Sequence, residues 1–149
     1  MKYLAYGANM DLGIMGQRCP NAKFLGTDVL EDYRLLFKGE EPRAYATIEE
    51  WEGFKVPYVL WEINYSDERE LDYFEGCPVH YKKNTVEIEF NGEKFLAMFY
   101  QKDTAQPVGQ PMTHYVEVLE DAYEHFKFDR SILDAALKFS DDFYQRKFF

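Results

Sequence analysis

Cysteine is almost missing from this 149-residue chain: Cys19 and Cys77 alone occur, each just before a proline and far apart. Neither a disulfide framework nor a Cys-x-x-Cys metal knuckle can be read from them, and two reduced, half-buried thiols are expected. Long apolar runs are also missing. No stretch reaches the roughly 18 consecutive apolar residues of a membrane span, and the start Met1-Lys2-Tyr3-Leu4 lacks the apolar core of a signal peptide, so a cytoplasmic protein is expected. Positive charge is scarce. Lys and Arg total 17 against 27 Asp and Glu, a net charge of -10, which removes the long-range attraction that nucleic acid or an anionic membrane would need. His80, His114 and His125 have no metal-ligand spacing and pair with no Cys or Ser in a nucleophile motif, so the chain offers neither a metal site nor a cofactor motif. Repeats, low-complexity tracts and Ser/Gly linkers are missing too, which leaves one domain over residues 1–149.

What is present suffices for a core. Hydrophobic residues make up 46% and aromatic residues 18% of the chain, and a domain of this size hides roughly 68–70% of its unfolded surface without staples. Lys2 to Tyr6 reads as a strand, Gly7-Ala8-Asn9 as a break, and Met10 to Gln17 as a helix stopped by Cys19-Pro20. Lys23 to Phe37, Tyr45 to Glu50 and Val56 to Ile63 are β-branched and aromatic stretches between breakers at Gly39, Pro42, Gly53 and Pro57, and read as three strands. Ser66 can cap a helix with Asp67 and Glu68 in its first turn, Leu71 and Phe74 on an apolar stripe, and Gly76 at its end. Tyr81 to Phe90 alternates, and Asn91-Gly92 turns it into Phe95 to Tyr100 as a hairpin. Tyr115, Val118, Leu119, Ala122 and Phe126 share one helical face, and Asp129 or Ser131 can cap a last helix through about Phe143. Gln101 to Pro111 is the longest stretch without a pattern. This order has too few βαβ units for a doubly wound fold, and predicts an α+β fold whose mixed sheet curls toward a small barrel flanked by helices.

Two places could carry chemistry. In Tyr6-Gly7-Ala8-Asn9, glycine and asparagine tolerate positive φ, so consecutive N–H groups could form an anion-binding nest ahead of a helix N-terminus; a tight turn with no ligand satisfies the same residues. In Leu71-Asp72-Tyr73-Phe74-Glu75-Gly76, a glutamate in the last helical turn faces the negative end of the helix dipole, and Tyr73 and Phe74 could desolvate it; both raise its pKa toward that of a general base. An ordinary solvated carboxylate is the competing reading. Tyr81 and Tyr115 stand out by position, one opening a strand soon after Glu75 and one on the first turn of a helix. Trp61, inside an apolar strand, belongs to the core.

Taken in order, Tyr6-Gly7-Ala8-Asn9, Trp61-Glu62-Ile63, Leu71 to Gly76, and Tyr115 four residues after Pro111 resemble the γ-glutamyl cyclotransferase-like family over roughly residues 2 to 126. The resemblance implies a barrel-centred α+β fold with a cavity, a loop that binds substrate through its backbone at Gly7, Ala8 and Asn9, an acid/base role for Glu75, and cavity-lining tyrosines matched by Tyr6, Tyr81 and Tyr115. It implies cyclisation of a γ-glutamyl group to 5-oxoproline with release of an amine or amino acid, a reaction without metal or cofactor whose partner is a small γ-glutamyl substrate. Ala8 and Met112 stand where serines are usual. They leave open a second reading, in which the same cavity binds a small molecule without turning it over, and neither the leaving amine nor an oligomeric state follows from the sequence.

Overall fold

The computed structural model describes residues 1–148, with side chains as far as Arg146. Five strands form one mixed sheet: β1 (Lys2–Ala5), β2 (Lys23–Lys38), β3 (Tyr45–Glu62), β4 (Lys82–Phe90) and β5 (Glu93–Gln101), in the order β2-β3-β1-β5-β4. Only the β1–β5 pair is parallel. The expected α+β fold with a curled sheet is present, and the sheet stays open, with β2 and β4 at its edges. The curl is visible in side-chain bonds. Gln101 Nε2 donates to the Ile48 carbonyl (2.8 Å) and the Lys102 N–H to Thr47 Oγ1 (3.0 Å), so the first half of β3 reaches across to the end of β5.

The two strands expected over 45–50 and 56–63 are one, because neither breaker breaks it. Gly53 adopts φ 88° within β3, and its N–H donates to Asp32 Oδ1 across the hairpin at 3.0 Å. Pro57 lies opposite Val29 of β2 and beyond the Val59–Glu62 segment that β1 pairs with, so on the β1 side it faces no strand. The Asn91-Gly92 hairpin is as expected: both residues have positive φ, and Phe90 pairs with Glu93 across the two-residue turn.

A 3-10 turn (Ala8–Met10) leads into helix α1 (Leu12–Arg18), which Asp11 caps by accepting the Ile14 N–H at 2.8 Å. Helix α2 (Tyr65–Glu75) begins one residue before the expected Ser66 cap. Asn64 is the cap, in a reciprocal box with Asp67, and Gly76 closes the helix at φ 63° as expected. Leu71 is fully buried, whereas Phe74 is exposed and forms no part of an apolar stripe. Replacing Asn64 by alanine should cost about 1 kcal/mol of stability, read as a lowered urea midpoint with an unchanged m-value. Helices α3 (Thr113–Phe126) and α4 (Arg130–Phe148) follow. Leu119 and Ala122 are buried on the expected α3 face, joined by Tyr123, Asp129 Oδ1 accepts the Ser131 N–H at the start of α4, and α4 runs past the expected end near Phe143. Cys19 and Cys77 are both free, Cys19 buried and Cys77 half-buried. Among the described residues no helix is long and apolar enough to cross a membrane.

Candidate functional site

The β1 strand and the loop after it, the end of α1, the start of β3, the end of α2, the end of β5 and the start of α3 converge on a cavity of about 540 Å³. Every site residue expected from the sequence lines it, namely Tyr6, Gly7, Ala8, Asn9, Glu75, Tyr81 and Tyr115. Met112 does not. It is the N-cap of α3, with no side-chain capping bond, so position 112 bears on helix initiation rather than on the cavity wall.

Among the described residues Glu75 is the only carboxylate in the lining. The protein packed around it pushes its pKa from 4.5 up to about 7, against the opposing pull of Arg18, Lys102 and a hydrogen bond from Asn9. The expected direction is right and one expected cause is not, since Tyr73 is 80% exposed and desolvates little. Asn9 is the organising residue. It is 3% exposed, its Nδ2 donates to Glu75 Oε1 (3.2 Å) and to the Tyr3 hydroxyl (2.9 Å), its Oδ1 accepts from the Arg18 guanidinium (2.7 Å), and its carbonyl accepts from Trp61 Nε1 (3.1 Å). Trp61 is thus core, as expected, and also a clamp on the loop. The loop backbone differs from the expected nest, because Gly7 has φ −118° and Asn9 lies in the 3-10 turn. Its amides are available for a different reason: the N–H groups of Ala8 and Asn9 open a helical turn and have no backbone acceptor among the described residues.

The tyrosines divide by where their protons go. The Tyr6 hydroxyl donates to the Tyr100 carbonyl, that of Tyr81 to the Ala46 carbonyl (2.7 Å), and that of Tyr100 to Asp72 Oδ1 (2.6 Å). These three brace the wall. Tyr115 instead accepts the Ala46 N–H (3.1 Å) and Tyr3 accepts from Asn9, so each keeps its own proton to donate. Burial raises the pKa of both, which keeps them protonated.

Tyr3, Arg18 and Lys102 were not evident in the sequence. Arg18 belongs to a short helix and carries a common surface residue type; only the fold lays its guanidinium 4.6 Å above the Phe74 ring and against Asn9. Lys102 lies in the patternless stretch after β5 and is the one residue of 102–111 in the lining. Replacing Arg18 by methionine should move the Glu75 titration above pH 7, because a charge that lowers it is removed; carboxyl-carbon NMR across pH 5–9 would report an unmoved midpoint if Arg18 were electrostatically idle.

No group of His, Cys, Asp and Glu among the described residues could hold a metal ion. No curated protein sequence matches the chain. Among solved structures, one titled γ-glutamyl cyclotransferase superposes with a TM-score of 0.78 at 22% identity, covering 97% of this chain and 86% of the other. An uncharacterized protein from Homo sapiens gives 0.76 at 22%, covering 96% and 85%, and YkqA from Bacillus subtilis gives 0.78 at 21%, covering 95% of this chain and 54% of that one. At these identities the likeness is one of fold. The sequence profile of the family described as "Gamma-glutamyl cyclotransferase, AIG2-like" matches residues 3–130, from the strand ahead of the amide loop to the start of the last helix, and the chain belongs to that family.

Proposed function

We propose that the protein, acting as a single domain, is a γ-glutamyl cyclotransferase-type enzyme that converts a γ-glutamyl amide into 5-oxoproline and a free amine. The observation that carries this reading is a lone cavity carboxylate, Glu75, held near pKa 7 beside free loop amides. The reaction is intramolecular. Once it is a free amine, the substrate's α-nitrogen attacks its own γ-carbonyl carbon, a C–N bond closes the five-membered ring, the C–N bond to the departing amine breaks, and one proton passes from the attacking to the leaving nitrogen, while the proton given up earlier by the α-ammonium is balanced when the released amine becomes an ammonium.

Each step has a group suited to it. The α-ammonium, of pKa about 8, must lose a proton before it can attack, and a carboxylate of pKa about 7 is a far better acceptor at neutral pH than one at 4.5. The same carboxyl then returns a proton to the leaving nitrogen. The amides of Ala8 and Asn9 would hold the substrate's α-carboxylate, a contact that needs no side chain at position 8. The uncommitted hydroxyl protons of Tyr115 and Tyr3 would serve the oxygen that becomes negative as the γ-carbonyl is attacked, whereas Tyr6 and Tyr81 would offer ring surface that folds the substrate toward ring closure.

The test is a mass-spectrometric search for 5-oxoproline after incubation with γ-glutamyl dipeptides and γ-glutamyl amines, with the Glu75→Gln variant alongside. Product from the native protein that vanishes in the variant is expected. Full activity in the variant would remove Glu75 from the mechanism, and no product from any substrate would favour a binding protein.

A further inference from the structure

Among the described residues the cavity holds one buried cation with nothing to hold. Lys102 is 7% exposed, yet its Nζ has no hydrogen bond and no ion pair among the described residues; its near neighbours are the faces of Tyr81 (5.0 Å to the ring centre) and Tyr45 (5.8 Å). Lys38, equally buried at 8%, shows the ordinary arrangement, with its ammonium 2.6 Å from Glu49 Oε2 and 2.8 Å from the Thr104 carbonyl. A buried ammonium left without an acceptor is costly. Burial accordingly lowers the Lys102 pKa, with Glu75 opposing the shift. An anion entering the cavity would relieve that cost, since the residue lines it.

The charge of the lining says how many anions to expect. Arg18, Arg43 and Lys102 face a single carboxylate, Glu75, in a chain whose net charge is -10. Arg18 is engaged with Asn9 and Phe74, and Arg43 stands exposed. Given the reaction proposed above, on which this inference rests, the loop amides of Ala8 and Asn9 already receive the γ-glutamyl α-carboxylate. Lys102 enters from a different part of the chain, just after β5. A neutral γ-glutamyl amine would leave it unpaired.

We propose that Lys102 is a specificity-determining residue that binds a second anionic group, carried by the leaving amine, so that acidic γ-glutamyl conjugates are favoured over neutral ones. The matched pair γ-glutamylglycine and γ-glutamylglycinamide differs chiefly in that charge, and the accompanying difference in leaving-amine basicity is common to native protein and variants, so it cancels when their ratios are compared. The ratio of their kcat/KM values should favour the acid by about 10- to 100-fold in the native enzyme, fall to within about threefold of unity in Lys102→Met, and largely return in Lys102→Arg. Any change that Lys102 makes to Glu75 affects both compounds and cancels in the ratio. An unchanged ratio in Lys102→Met, or a native ratio near unity, overturns the proposal. Calorimetric binding of the same two compounds to Glu75→Gln, with and without Lys102→Met, separates this result from the fate of the reaction. If neither compound yields 5-oxoproline but the acid binds about tenfold tighter only when Lys102 is present, the anion site stands and the cyclotransferase reading falls; equal binding of both compounds removes the anion site whatever the turnover.

Discussion

Replacing Glu75 by glutamine is expected to lower kcat by about 10²- to 10⁴-fold, the usual worth of a positioned general acid/base, while leaving the cavity intact. Glutamine keeps the volume of the side chain and an oxygen for the Asn9 Nδ2 donor 3.2 Å away, so what is lost is the capacity to move a proton. A shorter acid makes the complementary point. Glu75→Asp retains a carboxyl but withdraws it from Asn9 by a methylene, and a misplacement of about 1 Å can cost on the order of 10²-fold, so this variant should fall between the native enzyme and Glu75→Gln. In the native protein kcat/KM should rise with pH through about 7, as the buried carboxyl gives up its proton. A rate that stays flat from pH 5 to 8 would mean that the base titrates near 4.5, or that Glu75 is not the base.

The hairpin, the α2 terminus and the loop were legible in the sequence because each rests on local chemistry: Asn91-Gly92 supplies two positive φ values, Gly76 a third, and Gly7-Ala8-Asn9 breaks a strand that is too short to continue. Gly76 ends the helix and so puts Glu75 at its last turn, but it was the ordered set of motifs, and not that turn, that singled it out among 27 acidic residues. What could not be read depends on distant pairing. Gly53 and Pro57 look like breakers until Asp32 and the limited reach of β1 are known. The long β3 that results is what brings Tyr45, Ala46 and Thr47 to the end of β5, and with them the exposure of Lys102 to the cavity instead of to solvent. Arg18 and Tyr3 were invisible for a similar reason. Their partner, Asn9, is identified by four bonds that span sequence separations from 6 to 66 residues, and no periodicity records such a hub.

The stability of the protein should carry the mark of the same carboxylate. In the unfolded chain Glu75 titrates near 4.5 and in the folded protein near 7, so between those values the folded state binds more protons and stability falls as pH rises. Below about pH 4.5 both states are protonated and the effect is nil; above about 7 both are ionised and the penalty is complete. At 1.36 kcal/mol per pH unit it reaches roughly 3 kcal/mol as an upper value. Glutamine does not titrate. The melting temperatures of Glu75→Gln and the native protein should therefore diverge as pH rises from 4.5 to 8, the variant gaining roughly 5–10 °C relative to its offset at low pH. Reading the change with pH, and not the absolute gap, cancels any pH-independent cost of the substitution, such as an altered bond with Asn9, while the attraction of Arg18 and Lys102 for the ionised carboxylate is already contained in the pKa near 7. Melting curves that stay parallel over this range would show that Glu75 ionises in the folded protein as it does in water, and an inactive variant that is also the more stable one would show that the fold carries a destabilising charge for the sake of its chemistry.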